Sequence, residues 1–175
     1  MTEAVDSTIH ASAVLVGKRA VLIRGPSGSG KSRLAFDLVL AGRASQIAPA
    51  MLVGDDRVHV WPHAEALWVR PAPALAGLIE IRGLGIRHCD FVPEAPVGLV
   101  VDLDAADAER LPPPDALTVR IKGIFIPRIP VQQGLSGLPL VIAALTMTAN
   151  SSSARPSADC SKEFGNHITP TIATE

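Results

Sequence analysis

Tyrosine is absent from the 175 residues, and Phe and Trp together bring the aromatic content to only 3%. A core built from this chain must therefore be aliphatic, and a binder of single-stranded nucleic acid would lack the aromatic platforms on which bases stack. An excess of charge is missing as well: the formal net charge is −1. With no basic field to hold a polyanion, nucleic acid is not expected as a partner. Cysteine is scarce. Cys89 and Cys160 have no CxxC spacing and no His pair beside them, so no metal-ligand pattern is present. The longest uncharged apolar stretch, Leu138 to Ala149, is too short to span a bilayer, and no membrane partner is expected. Glu3 and Asp6 stand where a secretion signal would be basic, and free thiols then suit a reducing, cytoplasmic location.

What is present fits one globular domain, with 47% hydrophobic residues and no internal repeat. Ser12–Val16 and Arg19–Arg24 read as strands joined at Gly17-Lys18, and the second runs into a glycine-rich loop. After Lys31 the apolar period becomes helical through Leu34, Leu38 and Ala41, with Gly42 placed as a C-terminal cap. Arg43 to Ala50 reads as a loop and Met51–Gly54 as a short strand ending at Asp55-Asp56. Val58–Trp61 and Ala66–Arg70 form a second hairpin candidate around Pro62-His63, followed by strands at Leu78–Arg82 and Val97–Leu103. Asp104 is expected to cap a short helix, Ala105–Leu111, ended by Pro112-Pro113-Pro114. Strands at Leu117–Ile121 and Ile124–Ile129 follow, then a helix opened by Pro139 and running to about Ala149. From Asn150 to Glu175 the chain is rich in Ser, Thr and Pro without period, and a disordered tail is expected after a domain of residues 1–149. Hairpins interrupt any regular alternation of strand and helix, so the expected class is α/β with a mixed sheet and flanking helices.

Gly25-Pro26-Ser27-Gly28-Ser29-Gly30-Lys31-Ser32 fits G-x-x-x-x-G-K-[ST] at every fixed position, with a strand before it and a helix after. Gly25, Gly28 and Gly30 permit backbone angles that turn successive N–H groups toward one anion. A helix N-terminus adds partial positive charge, Lys31 a full charge over the β- and γ-phosphates, and Ser32 a hydroxyl for Mg²⁺. ATP and Mg²⁺ are the cofactors expected from this loop. A carboxylate is also required, and two acids end apolar strands: Asp55, with Asp56 beside it, and Asp102. By hydrophobic length alone Asp102 is the better metal acid, which would suit a small-molecule kinase. A nucleotide-sensing module without transfer activity would need neither.

Beyond the loop, Leu52-Val53-Gly54-Asp55-Asp56 and Leu78-Ile79-Glu80-Ile81-Arg82-Gly83-Leu84-Gly85-Ile86 resemble the corresponding segments of the HPr kinase/phosphorylase family. The resemblance covers about His10 to Val131 and reads as a short form without the family's N-terminal domain. It implies an α/β P-loop kinase domain, HPr kinase / PEP carboxykinase-like, that phosphorylates a serine of HPr or a homologous phosphocarrier and allows a homo-oligomer. It further implies that Asp55 accepts the seryl proton, and returns one in the reverse reaction, and that Glu80 accompanies Ser32 at the metal. His10, in His-Ala-Ser-Ala-Val, and Arg110, in Glu109-Arg110-Leu111, match residues counted in the family's active site along with Lys31. Arg82 is equally explained as a surface partner of Glu80 or Asp90. Two departures stand out: Arg43–Ala50 looks like an insertion, and Gln132 and Leu135 occupy places where the family carries cations. The segment Pro130–Leu135 corresponds to one tied to phosphorolysis of the phosphoserine, so that reverse activity is expected to be weak.

Overall fold

A computed structural model describes residues 8–147 of the chain. The tail expected from Asn150 onward lies outside the described residues. Two long strands, β1 (Thr8–Val16) and β8 (Ala95–Leu103), organise the fold because each is shared between two sets of partners. The inner halves build a mixed sheet. β1 pairs antiparallel with β2 (Arg19–Arg24) on one side and β3 (Ala50–Gly54) on the other; β2 runs parallel to β8. β8 in turn runs parallel to β10 (Ile124–Val131), whose outer edge holds β9 (Thr118–Ile121) antiparallel. The outer ends of β1 and β8 carry a second layer, the hairpin of β4 (Arg57–His63) and β5 (Ala66–Pro71). A separate hairpin joins β6 (Leu78–Ile81) to β7 (Gly85–His88).

Successive side chains of a strand point to opposite faces, and here both faces are buried. Val14, Val21, Ile23 and Val101 meet Leu34, Ala35 and Leu38 of helix α1 (Lys31–Arg43) and Val141 of α2 (Leu138–Thr146). Ala13, Leu22 and Val100 face Val58, Val60, Leu67 and Val69 of the β4–β5 hairpin. The result is three layers, helices on sheet on sheet, with aliphatic packing in both interiors, as the shortage of aromatics requires. No helix among the described residues is long and apolar enough to cross a membrane.

The mixed sheet, the first hairpin, the loop-to-helix transition and the Pro139 helix follow the sequence expectation. Three local readings are corrected. Gly42 lies inside α1 rather than capping it; the left-handed residue is Ser45, with φ 57°. Gly42 is needed for closeness, since a Cβ there would sit 2.6 Å from both Cβ and N of Ala50 at the start of β3. The turn of the second hairpin is Ala64-Glu65, with φ 46° and 64°, while Pro62 remains in β4 opposite Leu67. Finally, Ala105–Leu111 forms no helix. Asp104 turns left-handed (φ 55°), which breaks the helical path at its start, and the Ala105 N–H donates to Val131 O at 3.0 Å. Seven residues before a proline run offer too few internal bonds to repay nucleation. The only regular piece there is a 3-10 turn, Pro114–Leu117.

Candidate active site

β2 delivers the chain to Gly25 at a point with no room for a side chain: a Cβ there would lie 2.9 Å from Leu103 O and 2.7 Å from Ser29 Oγ. Gly28 (φ 81°) and Gly30 (φ 95°) take left-handed angles, the region in which an L side chain is strained. α1 then starts at Lys31, with no side chain capping it and no acid in its first turn. Its leading N–H groups and partial positive charge are thereby left available to an anion. Lys31 is 6% exposed, and its ammonium donates to the carbonyls of Gly25 (3.0 Å) and Pro26 (2.8 Å). Burial lowers its pKa, against the opposing pull of the Asp55 and Asp56 carboxylates. An incoming phosphate would favour the charged form further.

Asp55 follows β3 and is 3% exposed. It is held by three donors from three elements: Ser12 Oγ on β1 (2.5 Å) and Ser32 Oγ on α1 (2.9 Å) to Oδ1, and the Glu80 N–H on β6 (3.1 Å) to Oδ2. Three of about four carboxylate lone-pair positions are used. Asp56 turns outward with φ 65°, and its carboxylate meets His10 Nε2 at 3.3 Å. A cavity of about 520 Å³ opens over this junction, lined among others by His10, Lys31, Ser32, Asp56, Glu80 and Arg82. Ser32 therefore links buried Asp55 to the open space. The loop of residues 44–49 is itself fixed, with Pro49 O accepting from the Gly17 N–H at 2.9 Å and Ile47 buried.

Hard oxygen donors are present at this junction: the Ser32 hydroxyl and the Glu80 side chain line the cavity, and the Asp55 carboxylate lies beneath it, joined through Ser32. They fit Mg²⁺, which commonly takes one or two protein carboxylates and completes its shell with phosphate and water. No group of three His, Cys, Asp or Glu side chains that could hold a metal by itself occurs among the described residues. A cation at this site would thus depend on substrate oxygens.

Asp102 stands apart. In the β2–β8 register it is opposite Arg24, which grips it with Nε at 2.7 Å and Nη2 at 2.8 Å; Arg128 Nε adds a third contact at 2.5 Å. Arg128 continues to Asp107 and to Ala116 O. Burial would raise the Asp102 pKa, but the two arginines outweigh it and hold the carboxyl below its usual range. Asp102 does not line the cavity. It is an anchor between strands, which removes the structural basis for reading it as a metal acid. Asp102→Asn is expected to cost about 3 kcal/mol, since it leaves guanidinium groups poorly paired, and to lower Tm by roughly 10 °C in a melt followed by circular dichroism. The sign with pH follows from the lowered pKa. The contribution is complete above about pH 4, the ordinary carboxylate value, and is lost as pH falls through the lower folded value.

Three comparisons bear on this geometry. Residues 2–166 match the family model described as HPr Serine kinase C-terminal domain. The chain belongs to that family. Among curated HPr kinase/phosphorylases, that of Streptococcus thermophilus is 32% identical over 182 residues and that of Streptococcus pneumoniae 33% identical over 181. Each alignment covers 95% of this chain but 55% of the relative, so the chain spans little more than half the length of these proteins. The solved Hpr(Ser) kinase/phosphatase from Coxiella burnetii superposes with TM-score 0.62 at 29% identity, covering 79% of this chain and 93% of that one.

In this chain, His10, Lys31, Ser32 and Glu80 line one cavity at the loop from Gly25 to Ser32, which includes Pro26, Ser27 and Ser29, and Asp55 lies beneath it, joined through Ser32. Arg110 is not among them. It lies exposed between β8 and β9 and does not line the cavity. Ser12, Asp56 and Arg82 were not singled out as site residues from sequence. Ser12 had one signal: a lone hydroxyl in the buried run Ala11-Ser12-Ala13-Val14 must find a partner.

Proposed function

We propose that this domain transfers the γ-phosphoryl group of ATP to a serine of an HPr-type phosphocarrier. The observation carrying the proposal is the buried carboxylate of Asp55, hydrogen-bonded to Ser32 one residue after Lys31. A phosphate cradle and a candidate proton acceptor thus meet at the first turn of α1. The loop amides and Lys31 would hold the β- and γ-phosphates, and Ser32 and Glu80 would hold Mg²⁺. When bound, that ion supplies charge neutralisation across the phosphate oxygens. Ser32 can keep donating its proton to Asp55 while an oxygen lone pair faces Mg²⁺, and the one lone pair of Asp55 left open, on Oδ2, would take the seryl proton. The serine oxygen gains the phosphoryl group and ADP departs. His10 and Asp56, at the cavity mouth, would orient the acceptor. Incubation with ATP, Mg²⁺ and an HPr-type protein should yield phosphoserine, located by mass spectrometry. Phosphate on a hexose or nucleoside instead would favour a small-molecule kinase.

The reverse reaction, attack of inorganic phosphate on the phosphoserine, would crowd two anions and needs additional cations. Gln132 and Leu135 supply none, and Arg128 is engaged by Asp102 and Asp107. Arg120 lies over the Phe125 ring. Arg33 and Arg82 are the arginines lining the cavity. Pyrophosphate release from phosphorylated carrier and phosphate is therefore expected to run at least roughly tenfold slower than transfer, the effect of about one missing charged hydrogen bond. Equal rates would contradict this.

A further inference from the structure

A second cavity, of about 460 Å³, lies between α1 and the underside of the β6–β7 hairpin. Its walls are Phe36, Val39, Leu52, Ile79 and Ile81, and its rim carries Arg43 from the end of α1 with Arg87 and His88 from β7. Asp90 is the one acid lining it. At the hairpin tip Leu84, 57% exposed, extends the apolar lining outward. A pocket of several hundred Å³ with apolar walls and a few convergent charged groups is the usual form of a small-molecule site. An aliphatic body is matched by the walls. A head group of single negative charge is matched by two guanidiniums against one carboxylate.

We infer that this cavity is a regulatory site for an amphipathic carboxylate, a medium-length aliphatic chain with its head between Arg43 and Arg87. The coupling is visible in β6. Ile79 and Ile81 face this cavity, while the N–H of Glu80 between them donates to Asp55. Phe36 and Ile81 line both cavities. A chain wedged between α1 and the hairpin would therefore shift the β6 backbone against Asp55 and alter transfer. The binding part stands on this cavity alone; the effect on transfer rests on the proposed function.

The test uses the full chain and decanoate below its micellar concentration, with calorimetry as the first readout. Saturable binding at one site is expected, with decanol and inorganic phosphate each binding at least roughly tenfold more weakly. The double variant Arg43→Gln/Arg87→Gln should weaken decanoate by at least roughly tenfold, as expected for lost charged hydrogen bonds, at unchanged Tm. No saturable binding, equal binding of decanol, or full affinity in the double variant would each overturn the site. The second readout is phosphoryl transfer to the carrier. A saturable change in its rate at the same decanoate concentrations supports the coupling. Binding without any such change, in protein that transfers phosphate, overturns the regulatory role and leaves the proposed function standing. Binding to protein that transfers nothing overturns the proposed function and the regulatory role, and leaves the binding site.

Discussion

Replacing Lys31 by alanine is expected to weaken ATP binding roughly 100-fold, the loss of about 3 kcal/mol of charge-assisted hydrogen bonding. Two effects combine. The ammonium would contact the γ-phosphate directly, and it also ties the loop to itself through the carbonyls of Gly25 and Pro26. Burial already disfavours the free ammonium here, so a dianionic partner should gain more from it than it would from an exposed lysine. The measurement is a titration of the folded variant with ATP and Mg²⁺ by calorimetry, alongside a melt to show that the domain is intact. An unchanged Kd would mean that the loop is not the nucleotide site. Arginine at position 31 is not expected to rescue, because its planar fork cannot replace a compact ammonium in so closed a position.

The parts of this fold that were legible in the sequence are those fixed by short-range patterns. The loop from Gly25 to Ser32 declares itself by spacing, and the strand before it and helix after it by a change of apolar period. Mixed sheet topology was legible from the hairpins, but its closure was not. The parallel pairing of β2 with β8 brings Arg24 to Asp102 across 78 positions, and neither residue announces the other. That pairing decides the role of Asp102. An acid after five apolar residues looks like a metal ligand until its two arginines are seen. Proline and glycine misled where they served packing instead of turns: Gly42 makes room for Ala50, and Pro62 sits within a strand. The helix expected over Ala105–Leu111 is absent because Asp104 turns left-handed at its start and the few residues before the proline run cannot repay nucleation. In the site, Asp55 was legible through family resemblance, whereas its grip by Ser12 required a third dimension.

Asp55→Asn isolates the central claim, because the amide keeps the shape of the carboxylate and removes its basicity. Ser12 and Ser32 can rotate their hydroxyls to suit an amide, and the Glu80 N–H can still donate to the amide oxygen. The fold and the nucleotide cradle should therefore persist. Loss of a general base typically lowers the chemical step by about 10² to 10⁴-fold. The deciding measurement is a quenched single-turnover reaction of wild type and Asp55→Asn with labelled ATP, Mg²⁺ and an HPr-type carrier, with ATP affinity measured on the same samples. Phosphoserine forming in wild type, and at least roughly 100-fold more slowly in Asp55→Asn at similar ATP affinity, is the expected result. Transfer by Asp55→Asn at the wild-type rate would contradict the assignment of this buried carboxylate as the proton acceptor.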